Sequence, residues 1–315
     1  MVNILIKDKI DPFVVEELKK GGLNVIESVN NSDKLLQEVK ENEILIVRSA
    51  TKVDREILDS AASTGMLRLV IRAGVGLDNI DVKYAGLNDI SVANTPEASS
   101  EAVAELALAH MLVLARKMIP ANLSLREKKW AKKQCEGIEI SGKILGIIGM
   151  GRIGQSLAQK AIALGMRVIY SDIMGSIEVI KDCKFVSMDE LLVRSDFISL
   201  HIPVDGDKSY LFDKPEFEKM KKNAFLINTA RGGLVNENAL VEALENNEIA
   251  GAGIDVYCQE PCDNISLLKH EKVSVTPHIG ASTCEAQSRI GHQILEIIEE
   301  YISSKLLKEE SNDKD

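Results

Sequence analysis

Residues 143–154 read KILGIIGMGRIG, and this stretch decides the fold. A β-rich apolar run passes into Gly149-Met150-Gly151-Arg152-Ile153-Gly154 and then into an apolar helical pattern that reaches Leu164. Glycine makes up 21 of 315 residues, so three glycines at this spacing would arise by chance only ~0.1 times in such a chain. The setting adds specificity: a strand precedes the motif, a helix follows, and Asp172 closes the next predicted strand at the ~20-residue spacing of a dinucleotide site. A pyrophosphate must come close to the backbone and to the positive N-terminus of a helix, where a side chain at Gly151 would collide with it. Gly149, Gly151, Arg152, Ile153 and Gly154 are therefore the expected cradle. Asp172 is expected to accept hydrogen bonds from ribose hydroxyls and to repel a 2′-phosphate, which makes NAD rather than NADP the expected cofactor.

Working outward, a series of strands is predicted at 143–149, 166–172, 196–203, 224–230, 251–257 and 272–278, with helical stretches between them. Six strands at this spacing match a doubly wound nucleotide-binding sheet. A separate series precedes it, at 3–6, 23–28, 44–48, 68–72 and 90–94, with a helix from Pro12 to Lys20 closed by Gly21-Gly22. Strands alternating with helices predict an α/β protein with parallel sheets. Residues 96–117 are apolar on nearly all sides, so this helix is expected to be buried between domains or in a subunit interface. A last helical pattern follows residue 280, and the charged tail from Lys305 to Asp315 is expected to fray. Lys128, Lys129, Lys132 and Lys133 are read as a solvated helix face.

Composition narrows the function. A chain of 315 residues suggests two domains, and 45% hydrophobic with 27% charged residues is an ordinary globular balance. The net charge of −10 disfavours broad nucleic-acid binding yet leaves room for a small anionic ligand held by a few local cations. No run is long and apolar enough for a membrane span, and Met1-Val2-Asn3-Ile4-Leu5-Ile6-Lys7 reads as a strand and not as a signal peptide. Five scattered cysteines form no C-x-x-C pair, so no metal site or disulfide framework is expected and a reducing cytoplasm is the default.

Ligands of open α/β sheets bind beyond the carboxyl ends of the strands. The residues predicted there are Asp172, His201, Thr229 with Arg231, Asp255 with Glu260, and His278. Moving a hydride between a hydroxy acid and a nicotinamide needs a group that gives or takes the hydroxyl proton, and histidine does both near neutral pH. Glu260 beside His278 would fix the imidazole tautomer and favour its charged form. Arg231 supplies a planar, permanently charged fork for the substrate carboxylate. A lone histidine after a strand is more often structural; the convergence of three such groups at one sheet edge favours catalysis. His201 and Thr229 are expected to line the cofactor crevice, and Asp255 either to bond the nicotinamide carboxamide or to serve structure.

The chain resembles the D-isomer-specific 2-hydroxyacid dehydrogenase family. The motifs that carry the resemblance are LGIIGMGRIG (145–154), NTARGGLVNE (228–237), AGIDVYCQEP (252–261) and TPHIGASTCEAQ (276–287), together with VRSATKVD (47–54) and IRAGVGLDNID (71–81). The resemblance implies that Arg231, Glu260 and His278 are the catalytic trio. It also implies two doubly wound parallel-sheet domains, with a Rossmann cofactor domain (96–281) inserted into a flavodoxin-like substrate domain (1–95 plus 282–315), and a homodimer. Arg48 and Arg72, at predicted strand ends, would meet a phosphorylated substrate, and backbone amides of Gly74-Val75-Gly76 its carboxylate. The leading expected substrate is 3-phospho-D-glycerate, oxidised to 3-phosphohydroxypyruvate in the first step of serine biosynthesis; glyoxylate, hydroxypyruvate and D-lactate are alternatives. An NADH-sensing co-repressor role is the non-enzymatic rival. Two departures stand out: Val204-Asp205-Gly206-Asp207-Lys208 follows LHIP where relatives differ, and nothing follows the last helix, so no serine-binding regulatory domain is expected.

Overall fold

The computed structural model describes residues 2–29, 34–177, 180–204 and 210–312. The chain divides into two compact units, Met1–Ser99 with Ala281–Asp315, and Ser100–Gly280. The unusual stretch Asp205-Gly206-Asp207-Lys208 lies outside the described residues.

In the first unit, β1 (Asn3–Ile6), β2 (Asn24–Glu27), β3 (Ile44–Val47), β4 (Leu69–Arg72) and β5 (Ser91–Asn94) form a parallel sheet in the order β2-β1-β3-β4-β5. This is the flavodoxin-like order. Successive strand residues point to opposite faces, and both faces are covered. Ile4, Ile6, Ile44, Ile46, Leu69 and Ile71 pack with Val14, Val15 and Leu18 of α1 (Pro12–Lys20) and with Ile290, Ile294 and Ile298 of the C-terminal helix Cys284–Asn312. Leu5, Leu45, Val47 and Val70 meet Leu58 and Ala61 on the other face. Helix α1 begins where Asp11 accepts a hydrogen bond from the Phe13 amide and Pro12 presets the first turn. The C-terminal helix continues to Asn312, through most of the charged tail where fraying was expected.

The second unit holds seven parallel strands where the sequence predicted six. They are β6 (Ile144–Ile148), β7 (Arg167–Ser171), β8 (Cys183–Phe185), β9 (Phe197–Leu200), β10 (Phe225–Asn228), β11 (Gly251–Ile254) and β12 (Val273–Val275), in the order β12-β11-β10-β9-β6-β7-β8. Strand order reverses between β6 and β9, the switch point at which a doubly wound sheet binds its ligand. The long apolar pattern forms α2 (Ser100–Ala115), breaks at Lys117 with a left-handed φ of 48°, and resumes as α3 (Met118–Arg126).

Helix α2 is buried, and its own sheet covers it. Ala104, Ala107, Met111 and Ala115 share one core with Leu145, Ile147, Phe197, Phe225 and Ile227 of the strands and with Leu157 and Ala158 of α4 (Arg152–Ala163). The expectation of a buried helix is met, with the cover named here supplied from within the second unit. Lys128, Lys129, Lys132 and Lys133 are exposed and lie beyond α3, outside any helix. Among the described residues, no helix is long and apolar enough to cross a membrane.

Candidate active site

The glycine turn joins β6 to α4 at the switch point. Gly149 has a φ of 93°, and a Cβ there would lie 2.5 Å from the His201 carbonyl oxygen, so the turn closes only with glycine. Gly154 backs against the Gly149 carbonyl, which lets α4 press onto the strand. Gly151 is the N-cap of α4, and a Cβ on it would meet nothing within 4 Å; it projects into open space before the helix N-terminus. Arg152 and Ile153 open that helix, the first exposed and the second half-buried. Free space, a helix N-terminus and two tight glycines together fit a pyrophosphate.

Asp172 follows β7, and both its oxygens are engaged: Met150 N donates to Oδ2 at 2.8 Å and Met174 N to Oδ1 at 2.9 Å. Besides its expected place at the ribose, it therefore braces the glycine turn, a role the sequence did not show. Thr229 is buried, and its Oγ1 has no hydrogen-bond partner, an orphan polar atom that a bound ligand would satisfy. His201 shares a hydrogen between Nε2 and Ser199 Oγ at 2.9 Å. Burial pushes its pKa down to about 3, so it is neutral near pH 7 and moves no protons there.

The trio stands on the ends of β10, β11 and β12, all at the carboxyl edge of one sheet. His278 Nδ1 and Glu260 Oε2 are 2.7 Å apart, and Tyr257 N donates to Glu260 Oε1 at 3.2 Å. Both side chains are a little over one-third exposed, open enough to meet a substrate. His278 sits at a φ of 53°, a conformation L-residues avoid unless neighbours enforce it. Here its own amide donates to the Asp255 carbonyl at 2.8 Å.

Arg231 is held from two sides. The Asn228 side chain donates to the Arg231 carbonyl at 2.9 Å and accepts from Ala230 N at 3.1 Å. Gly232 lies so close to the Tyr257–Cys258 backbone that a Cβ would come within 2.5 Å of Cys258 N and nearer still to the Tyr257 carbonyl. The Arg231 loop is thereby pressed onto the loop that carries Glu260. Tyr257 also donates through its hydroxyl to the Thr276 carbonyl at 2.8 Å, tying in the strand end that leads to His278. Asn228, Gly232 and Tyr257 were missed in the sequence, although the paired glycines of RGG mark a close approach.

Asp255 is fully buried, with three hydrogen bonds to its oxygens from Thr276 Oγ1, Ile279 N and Gly280 N. These bonds brace the turn around His278, in line with the structural one of the two roles the sequence left open. In the first unit, Arg48 and Arg72 lie at the carboxyl ends of β3 and β4. Arg48 donates to the Lys9 carbonyl, and its backbone is held by Asp8 and Asn79. The Arg72 guanidinium folds over Gly74, occupying the space a Cβ there would take. Val75 accepts a hydrogen bond from Asn94, and Gly76 continues that loop.

Residues 108–280 match the family model described as D-isomer specific 2-hydroxyacid dehydrogenase, NAD binding domain. The chain belongs to the D-isomer specific 2-hydroxyacid dehydrogenase family. It is 41% identical to a hydroxypyruvate reductase of Thermotoga maritima, over 94% of this chain and 97% of that one. It is 40% identical to a D-3-phosphoglycerate dehydrogenase of Methanocaldococcus jannaschii over 97% of this chain, spanning 58% of that relative's length. Among solved structures, D-lactate dehydrogenase from Aquifex aeolicus, complexed with NAD and lactic acid, superposes with a TM-score of 0.85 at 28% identity, over 96% of each chain. The glycine turn and Asp172 thus lie within the family's NAD-binding domain, as do Arg231, Glu260 and His278.

Proposed function

We propose that this family member oxidises 3-phospho-D-glycerate to 3-phosphohydroxypyruvate with NAD, as a phosphoglycerate dehydrogenase of serine biosynthesis. The His278–Glu260 pair carries the reading. A carboxylate accepts only, so the 2.7 Å contact places the proton on His278 Nδ1 and leaves the Nε2 lone pair for the substrate. His278 Nε2 takes the proton of the 2-hydroxyl, and Glu260 stabilises the resulting imidazolium. Arg231 binds the substrate carboxylate as a fork, holding C2 in place. Gly149, Gly151, Arg152, Ile153, Gly154, Asp172 and Thr229 would hold NAD, which would supply the acceptor for the hydride that leaves C2.

Two arginines at strand ends, Arg48 and Arg72, support a phosphorylated substrate, since a phosphate asks for more cations than Arg231 alone. Similarity to the hydroxypyruvate reductase, at 41% identity against 40%, supports a second reading, reduction of hydroxypyruvate or glyoxylate with the same trio. We also assign a homodimer, supported by the exposed apolar residues of α3 and beyond it: Met118, Ile119, Leu123, Leu125 and Trp130. The five free thiols suit a reducing cytoplasm.

A substrate panel followed by nicotinamide absorbance tests the choice. The expected result is the highest kcat/KM for 3-phosphoglycerate and 3-phosphohydroxypyruvate. Preference for unphosphorylated hydroxypyruvate or glyoxylate would move the assignment to the second reading, and no turnover of any small 2-hydroxy or 2-keto acid would end both.

A further inference from the structure

A histidine sits in the second half of α2, where its neighbours along the helix from Leu106 to Ala115 are all apolar. His110 is 2% exposed, and both ring nitrogens are engaged: Nδ1 lies 2.9 Å from Ser274 Oγ and Nε2 lies 3.1 Å from Thr276 Oγ1. Its approach to the sheet depends on β11, because a Cβ on Gly253 would lie 2.7 Å from His110 Cβ.

The hydrogens in this chain of contacts can be assigned. Thr276 has one hydroxyl proton, and it goes to Asp255 Oδ1 at 2.6 Å. Thr276 Oγ1 must then accept from His110, which puts the imidazole proton on Nε2. His110 Nδ1 is left as an acceptor for the Ser274 hydroxyl. Burial lowers the His110 pKa, in keeping with a neutral ring and one fixed tautomer. Beyond Asp255 the chain ends on the backbone amides of Ile279 and Gly280, both at 2.9 Å, immediately after His278. Val103, two turns earlier on α2, stands 3.3 Å from where a Gly280 Cβ would be, so the same helix also packs against this turn.

We propose that His110 is a positioning residue for the His278–Glu260 pair, acting through Thr276 and Asp255 to hold the 276–280 turn in the conformation that presents the catalytic imidazole. Its directed hydrogen bond fixes the Thr276 hydroxyl, that hydroxyl fixes the Asp255 carboxylate, and the carboxylate grips the two amides that follow His278. The inference rests on the assignment of His278 as the acid–base group.

Four variants test it: His110→Leu keeps bulk and loses the donor; His110→Gln can restore a donor near the Nε2 position; Thr276→Val is nearly isosteric and breaks the chain one step later; His278→Ala is the reference. For His110→Leu and Thr276→Val we expect kcat to fall ~10- to 100-fold, the scale of an ångström-sized misplacement of a reacting group. NADH affinity, read by fluorescence titration, should stay within about twofold, because the glycine turn belongs to other strands. The acid limb of the kcat/KM pH profile should move, since the turn that presents His278 to Glu260 is no longer held, and His110→Gln should recover both kcat and the profile. Nitrogen-15 NMR of the parent protein should show His110 protonated at Nε2, a readout independent of turnover. Unchanged kcat and pH profile in both His110→Leu and Thr276→Val, with only the melting temperature lowered, would overturn the proposal, as would an Nδ1–H tautomer of His110. If His278→Ala retains full turnover, the acid–base assignment itself fails and the proposal falls with it; if only His278→Ala is impaired, the positioning role alone is lost.

Discussion

Gly232→Ala probes the seam on which the catalytic trio depends, using the smallest possible side chain. A Cβ at this position would lie 2.5 Å from Cys258 N and closer to the Tyr257 carbonyl, all backbone atoms that no rotamer change can clear. Reaching an ordinary van der Waals contact requires the 231–235 and 257–261 loops to part by about 1 Å or more. If the loops held their place, the overpacking would cost ~1–3 kcal/mol of stability. If they part, Arg231 shifts against Glu260 and His278, and a displacement of that size costs ~10²-fold in turnover. The measurement is steady-state kcat and KM with the best substrate of the panel, alongside NADH titration and thermal melting. We expect turnover to fall by roughly that factor while NADH affinity is kept, because the nucleotide cradle stands on β6 and α4. A variant with parental kcat, KM and melting temperature would refute the claim that this backbone contact sets the geometry of the site.

Further outcomes follow from other residues. His278→Ala should lower turnover by ~10²–10⁴-fold with NADH binding intact, measured by stopped-flow and fluorescence titration. Asp172→Ala should weaken NAD and relax discrimination against NADP, and because Asp172 also holds Met150 N it should weaken both cofactors together; unchanged kcat/KM ratios for the two would point to another group at the ribose. His201 has a folded pKa of about 3, below its unfolded value near 6.5, so the stability it confers is complete above the unfolded value and is lost as pH falls toward the folded one. His201→Asn should therefore flatten the acid side of a denaturation-versus-pH curve by at most ~1.4 kcal/mol per pH unit; an identical acid slope would contradict its buried neutral state. Leu125→Glu, on the exposed face of α3, should shift the protein to monomer by analytical ultracentrifugation, and an unaltered sedimentation profile would place the subunit contact elsewhere.

Much of the fold was legible because buried parallel strands are written as short apolar runs. The eleven predicted strands all exist, most of them trimmed at their ends, where the last hydrogen bond of the ladder and not the last apolar residue sets the boundary. The strand that escaped, β8, is three residues long, Cys-Lys-Phe, at the sheet edge and mostly exposed; it has no apolar run to read. Helix α2 was legible as a buried element, but the surface that buries it was not, since periodicity cannot say which neighbour arrives. The placing of Arg231, Glu260 and His278 beyond neighbouring strand ends was legible from the sequence. The supports of these three, Asn228, Gly232, Tyr257 and His110, act through contacts between residues far apart in the chain, and a single sequence carries no record of those. Asp255 left two roles open for the same reason: its type and place fit a ligand contact, and the three hydrogen bonds by which it braces the His278 turn come from residues more than twenty positions away.

The way the chain threads its two units has a consequence for synthesis. Ile290, Ile294 and Ile298 complete one face of the first sheet, yet they are translated only after the whole of Ser100–Gly280. At ~5–20 residues per second, that interval lasts roughly 10–40 s on the ribosome. During it Ile4, Ile46 and Ile71 remain partly uncovered at the N-terminal end of the nascent polypeptide, while the second unit already has every strand it needs. The earliest residues to emerge should thus be among the last to mature, and the greatest demand for chaperones should fall in that window.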